Sequence, residues 1–169
     1  TLSGGEPFYQ PEFAVGLLRE ARKRHIHTAV ETCGCISWEI LQKAAPLLNQ
    51  VMFDVKLLDE DDFQRWCGVA GQKGMAGHIL ANLDHLATDF PGLPILVRTP
   101  VIPKVNDDLD TIRAIHQRVC RYPQVKYELL PYHEYGRSKY EALGRDYPMG
   151  KVKLLTKKME YLRKEIAET

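Results

Sequence analysis

Gln50-Val51-Met52-Phe53-Asp54-Val55-Lys56 alternates strictly between apolar and mixed positions. Val51, Phe53 and Val55 fall on one side and Met52, Asp54 and Lys56 on the other, because successive side chains of a strand point to opposite faces. The segment reads as a strand with one apolar face and with a carboxylate and an ammonium together on the other. Charges on a strand inside a fold cost on the order of several kcal/mol unless paired or used. Asp54 and Lys56 therefore read as an ion pair at a strand end or as working groups of a site.

Working outward, the same rhythm repeats. Trp38 to Leu48 reads as a helix with Ser37 as N-cap. Before it, His27 to Glu31 reads as a short strand running into Glu31-Thr32-Cys33-Gly34, and Pro11 to Lys23 as a helix whose buried stripe is Phe13, Ala14, Leu17, Leu18 and Ala21. After the central strand, Leu58 to Gln72 is acidic and then small, with a helical piece near Asp61 to Cys67. Met75 to Thr88 follows as a helix on Ile79, Leu80, Leu83 and Leu86. Leu93 to Arg98 reads as a strand, and Thr99 to Pro103 carries the chain out of it. Asn106-Asp107-Asp108 caps a helix to Cys120 on Leu109, Ile112, Ile115 and Val119. Val125 to Leu130 is a strand, Ser138 to Leu143 a helical turn, and Lys151 to Glu168 a closing helix on Val152, Leu155, Met159, Leu162 and Ile166.

With a first strand at residues 1–3, five strands (1–3, 27–31, 51–56, 94–98 and 125–130) alternate with five helical regions. That pattern predicts an α/β fold, with a parallel sheet that is either open or curved into part of a barrel. In such barrels the site lies at the C-terminal ends of the strands. Polar residues gather there: Glu6 after the first strand, Glu31 and Thr32 at the second, Asp54 and Lys56 at the third, Arg98 at the fourth, His133 after the fifth. In Thr1-Leu2-Ser3-Gly4-Gly5-Glu6-Pro7 two glycines let backbone groups approach a ligand, Glu6 supplies a carboxylate, and Pro7 ends the strand. On its own that stretch reads more readily as a plain turn.

Composition narrows the function classes. Hydrophobic residues are 44% and charged residues 27% of the chain, a globular profile. The net charge of +1 gives no reason to expect nucleic acid or an anionic membrane as partner. No apolar run approaches the ~20 residues of a membrane span. The first residues read as strand rather than leader, so the expectation is a cytoplasmic protein. Cys33, Cys35, Cys67 and Cys120 form no Cys-x-x-Cys pair and match neither a zinc ribbon nor an iron–sulfur run.

Taken in order, Ser3–Pro7 (SGGEP), Glu31–Gly34 (ETCG), Met52–Lys56 (MFDVK), Val97–Pro103 (VRTPVIP) and Leu129–Gly144 (LLPYHEYGRSKYEALG) resemble the glycyl-radical-enzyme activating enzymes. These are radical S-adenosylmethionine proteins typified by pyruvate formate-lyase activating enzyme. The resemblance covers almost the whole chain, and the glycine pair combined with LPYH-x-x-G-x-x-K-Y is its most specific part.

The resemblance implies that residues 1–169 are the C-terminal major part of one domain, about five strands of a radical SAM (β/α)6 partial barrel. It implies that Gly4, Gly5 and Glu6 bind the methionyl amino group of S-adenosylmethionine. Glu31 (where the family usually has Asp), Thr32 and Asp54 would shape a monovalent cation site beside the ligand. Lys56 would pair with the methionyl carboxylate. Arg98 would line the reacting centre with Lys56 as the catalytic pair. His133, with the backbone near Leu130, would contact the adenosyl group. Lys104 stands where glycine is common, so that turn is expected to differ. The family holds a 4Fe-4S cluster on Cys-x-x-x-Cys-x-x-Cys upstream of the glycine motif. The expectation is therefore a fragment that starts after that segment, binds no cluster and is inactive alone. The implied partners are a glycyl radical enzyme and an electron donor such as flavodoxin or ferredoxin.

Two other classes fit the residues. One is a Schiff-base barrel lyase with Lys56 as nucleophile, against which Asp54 argues mildly because it stabilises the charged amine. The other is a non-catalytic module holding a nucleotide or a protein partner.

Overall fold

The computed structural model describes residues 1–67, 73–150, 152, 153 and 155–168. Four strands form one parallel sheet: β1 (Ala29–Thr32), β2 (Gln50–Asp54), β3 (Ile95–Val101) and β4 (Val125–Pro131). They lie in chain order, each beside its sequence neighbour, with Asp54 opposite Arg98 and Pro100 opposite Leu130. The helices are α1 (Pro11–Lys23), α2 (Trp38–Ala44), α3 (Glu60–Trp66), α4 (Met75–Asp89), α5 (Leu109–Val119), α6 (Arg137–Ala142) and α7 (Thr156–Ala167).

The expected first strand, at residues 1–3, shrinks to one residue. Leu2 N–H donates to Ala29 (2.8 Å) and its carbonyl accepts from Glu31 N–H (2.9 Å), a single parallel bridge on the outer side of β1. Gly4, at φ +130°, then turns the chain off the sheet into a 3-10 turn at Pro7–Tyr9. β3 runs three residues further than expected, because Pro100 keeps the extended pairing through Val101.

One face of the sheet is covered. Val30, Val51, Phe53, Val55, Ile95 and Val97 pack in one core with Leu18, Leu41, Leu83, Leu86 and Ile115 from the helices. A second cluster joins Val101, Ile112 and Leu129 to Met159 and Leu162 of α7. The opposite face carries Glu31, Met52, Asp54, Arg98, Lys126 and Glu128, all partly exposed or exposed. The alternation seen in the sequence is thus a division between the core and a charged, partly exposed face.

Two helix stripes are narrower than the apolar pattern suggested. In α1 only Ala14 and Leu18 are buried, while Phe13 and Leu17 face outward. In α7, Leu155 precedes the first turn as N-cap and is exposed. Lys151 and Leu154, within the expected closing helix, lie outside the described residues, as do residues 68–72 of the acidic-then-small stretch.

α4 starts without a capping side chain of its own, from Gly74 at φ +78°. Its cap comes from α3: Glu60 accepts from the N–H groups of Gly74 (2.8 Å), Met75 (3.1 Å) and Ala76 (2.9 Å). A carboxylate at that end also complements the helix dipole. Asp84 of α4 fastens α5, taking a two-pronged bond from Arg118 (2.9 and 2.7 Å), with Arg121 and the Tyr122 hydroxyl. Among the described residues no helix is long and apolar enough to cross a membrane.

Candidate functional site

Four charged side chains on the uncovered face join at the C-terminal ends of the strands. Arg98 on β3 sits beside its register partner Asp54 on β2; Nη2 and Nε lie 3.1 and 3.3 Å from Asp54 Oδ1. Its Nη1 reaches across to Glu31 Oε1 of β1 (3.0 Å) and lies 3.7 Å from Met52 Sδ. The second Glu31 oxygen accepts from the Ser3 hydroxyl, and Asp54 Oδ2 faces Lys56 Nζ at 3.5 Å. The result is a chain, Ser3–Glu31–Arg98–Asp54–Lys56, with two carboxylates and two cations. The Ser3 hydroxyl, and then the Arg98 guanidinium, hold the Glu31 carboxyl below its ordinary range.

Glu6 belongs to a second group. Its carboxylate accepts from the Thr32 hydroxyl (3.0 and 2.9 Å), the Cys33 N–H (3.0 Å) and Sγ (3.3 Å), and the Phe8 N–H (3.2 Å). It therefore ties the glycine turn to the end of β1. Burial, with Glu6 alongside, pushes the Cys33 thiol up to about 11. Glu31 and Thr32 are consecutive, so their side chains leave β1 on opposite faces. The structure thus brings Glu31 and Asp54 together on Arg98 and turns Thr32 to Glu6. Gly4 and Gly5 lie in the turn between these two groups, with open space where a Cβ would stand.

Leu130 sits opposite Pro100 on the same face as Arg98. His133 follows β4, is exposed, and stacks on Tyr135 at 4.2 Å between ring centroids. Among the described residues no hydrogen bond or ion pair joins it to the charged chain. The turn at Lys104 was expected to differ for want of a glycine; Lys104 adopts φ +65°, the left-handed conformation that glycine favours.

Beside Lys56 opens a recess of about 380 Å³ whose lining includes Cys33, Asp54, Lys56, Trp66, Cys67 and Tyr140. Sequence reasoning did not gather this group, because Trp66 and Tyr140 come from α3 and α6, far apart in the chain. Nor did it find Ser3 as the partner of Glu31. The hydroxyl preceding a glycine pair is the one local signal that was available. Among the described residues no group of three or more His, Cys, Asp or Glu side chains is placed to hold a metal ion.

No family model matches the chain. Over all 169 residues it is 48% identical to the isethionate sulfite-lyase activating enzyme of Nitratidesulfovibrio vulgaris, covering 53% of that protein. It is 46% identical over 153 residues, 90% of this chain and 49% of the relative, to the (2S)-3-sulfopropanediol sulfolyase activating enzyme of Bilophila wadsworthia. It is 37% identical, over 88% of this chain and 47% of the relative, to the choline trimethylamine-lyase activating enzyme of Oleidesulfovibrio alaskensis. The chain belongs to the glycyl-radical-enzyme activating enzymes. It spans about half the length of these activating enzymes.

The fold agrees with that of a solved activating-enzyme domain. The crystal structure of a domain of pyruvate-formate lyase-activating enzyme from Bacteroides vulgatus superposes with a TM-score of 0.76, over 99% of this chain and 91% of that one, at 24% identity. Archaeal TYW1 superposes with a TM-score of 0.52, over 70% of this chain and 38% of that one, at 24% identity. Both likenesses concern the parallel α/β architecture.

Proposed function

We propose that the protein containing these residues activates a glycyl radical enzyme, using a site for S-adenosylmethionine at the C-terminal ends of β1 to β4. The observation that carries the reading is the Glu31–Arg98–Asp54–Lys56 chain on the uncovered face. S-adenosylmethionine bears an ammonium, a sulfonium and a carboxylate, and a site for it needs both signs of charge within a few ångströms. This chain offers both, in a sheet that reads as part of a radical SAM barrel.

In this reading Lys56 exchanges Asp54 for the methionyl carboxylate. The carbonyl groups of Gly4 and Gly5 receive the ammonium, with Glu6 holding their turn in place through Thr32 and Cys33. Glu31 and Asp54 supply negative charge toward the sulfonium or a monovalent cation. Arg98 fixes both carboxylates and lines the reacting centre. His133 and the backbone at Leu130 flank the adenosyl group. When bound, S-adenosylmethionine supplies the 5′-deoxyadenosyl group that takes a hydrogen atom from a backbone glycine of the partner; the protein supplies binding, orientation and exclusion of water. The cysteines described here do not fit the family's 4Fe-4S cluster, and no step is assigned to them.

The relatives suggest the partner: a glycyl radical enzyme of the isethionate sulfite-lyase type, with a flavodoxin- or ferredoxin-like electron donor. The Schiff-base reading loses ground, since Asp54 at 3.5 Å suits Lys56 as a counter-ion rather than a nucleophile. The test is electron paramagnetic resonance. Full-length protein, purified anaerobically and given S-adenosylmethionine, a one-electron donor and an isethionate sulfite-lyase, should generate the glycyl radical doublet on the lyase. Absence of the doublet with that lyase, and with other glycyl radical enzymes, would refute the proposal.

A further inference from the structure

The side chain of Asn106 is completely buried and three of its hydrogen-bonding positions are filled by backbone groups. Its Nδ2 donates to the carbonyl of Lys56 (2.9 Å) and to that of Pro100 (3.0 Å). Its Oδ1 accepts from Ile102 N–H at 2.6 Å. It lies in the turn after β3, where Val105 and Asn106 N–H groups both return to the Ile102 carbonyl.

The significance lies in where β2 ends. Its pairing stops at Asp54, and Val55 N–H makes a last bond to the Arg98 carbonyl (3.0 Å). Beyond that point the backbone is held by side chains from the neighbouring strand and its exit turn. Thr99, also completely buried, donates from Oγ1 to the Val55 carbonyl at 2.6 Å. Asn106 takes the next carbonyl, that of Lys56 itself. A lysine ammonium swings on four methylenes, so its useful position depends on a fixed Cα. Asn106 supplies that fixed point and ties it to Pro100, two residues past Arg98 on β3.

We infer that Asn106 is a positioning residue for ligand binding, acting through Lys56. It sets the Lys56 Cα against Arg98 and so holds apart the two cations of the charged chain. This rests on the reading that Lys56 contacts S-adenosylmethionine, and the test separates the two claims. An asparagine next to two aspartates is otherwise taken for a helix cap. Here the cap of α5 is Asp108, which accepts from Thr111 N–H at 2.8 Å, and this leaves Asn106 to the strand ends.

The experiment is a double-mutant cycle read by calorimetric titration of S-adenosylmethionine into the full-length protein under anaerobic conditions. The variants are Asn106→Leu, Lys56→Ala and the pair. Where Asn106→Leu does not fold, Asn106→Asp takes its place; it keeps the acceptor for Ile102 but sets a carboxylate against two carbonyls. Each single variant should weaken binding about tenfold, and the pair no further than Lys56→Ala alone, as expected for residues acting through one interaction. Thermal stability should still fall in the double variant, which separates the structural effect from the positional one. If the Asn106 substitution leaves affinity unchanged, or weakens it by the same factor with and without Lys56, the positioning role is wrong while the Lys56 reading stands. If Lys56→Ala alone leaves affinity unchanged, both fall.

Discussion

Arg98 and Asp54 are register partners on adjacent parallel strands, and the guanidinium lies 3.1 Å from the carboxylate on the charged, partly exposed face of the sheet. The same guanidinium reaches Glu31 one strand further, at 3.0 Å. A structural ion pair needs one partner. Here one cation spans three strands and leaves Lys56 at the end of the line.

Arg98→Gln should lower stability by about 2 kcal/mol, because two carboxylates then face each other without their shared cation. Arg98→Lys should recover less than half of the loss, since one ammonium cannot make the forked contacts. Urea unfolding of the three proteins measures both. Equal stability of wild type and Arg98→Gln would mean that the network contributes nothing to folding.

Stability should fall in acid through Glu31. Its folded pKa is lowered, so its contribution is fully present above the unfolded value and is lost as pH falls through the folded one. The loss sets in as pH falls past the value of an unfolded glutamate, near ~4.3, and runs on below it. Asp84 acts in the same sense: burial pushes it up, but the bonds from Arg118, Arg121 and Tyr122 outweigh burial and hold it down. Glu31→Gln should flatten part of the acid limb of a melting-temperature profile. An unchanged limb would remove Glu31 from the linkage.

Glu60→Ala should destabilise the protein by about 1–2 kcal/mol, the range for losing a helix cap. Glu60→Gln should retain part of that, because one amide oxygen still accepts. Hydrogen exchange at Met75 and Ala76 should quicken in both variants. Unaltered exchange there would show that the start of α4 is held by something else.

Lys104→Gly should stabilise the chain by about 0.5–1 kcal/mol, since a left-handed φ strains any residue with a Cβ. Gly34→Ala should do the reverse by about 3 kcal/mol: φ is +70° and the new Cβ would stand 2.2 Å from Phe53. Thermal melts of the two variants should move in opposite directions. Movement in the same direction would contradict the backbone assignments.

The parallel order of the strands was legible in the alternation of strands and helices, and the placing of charges on one face in the period of two of Gln50–Lys56. The first strand was not, since nothing in Thr1-Leu2-Ser3 announces that Gly4 leaves the sheet after one bridge. Phe13 and Leu17 matched a helical stripe by spacing, but spacing does not say how wide a stripe the neighbours cover. Glu60, Asn106 and Ser3 act on backbone or side chains 14 to 50 positions away, and such pairings exist only once the sheet has formed. Glu6 was legible as a carboxylate at the right strand end, but its engagement with Thr32 and Cys33 was not.

The most direct test is a crystal structure of the full-length protein with S-adenosylmethionine, grown without oxygen. The proposed site puts the methionyl carboxylate within hydrogen-bonding distance of Lys56 Nζ, with Glu31 and Asp54 still held on Arg98. Ligand bound away from the strand ends, with the Lys56–Asp54 contact intact, would contradict it.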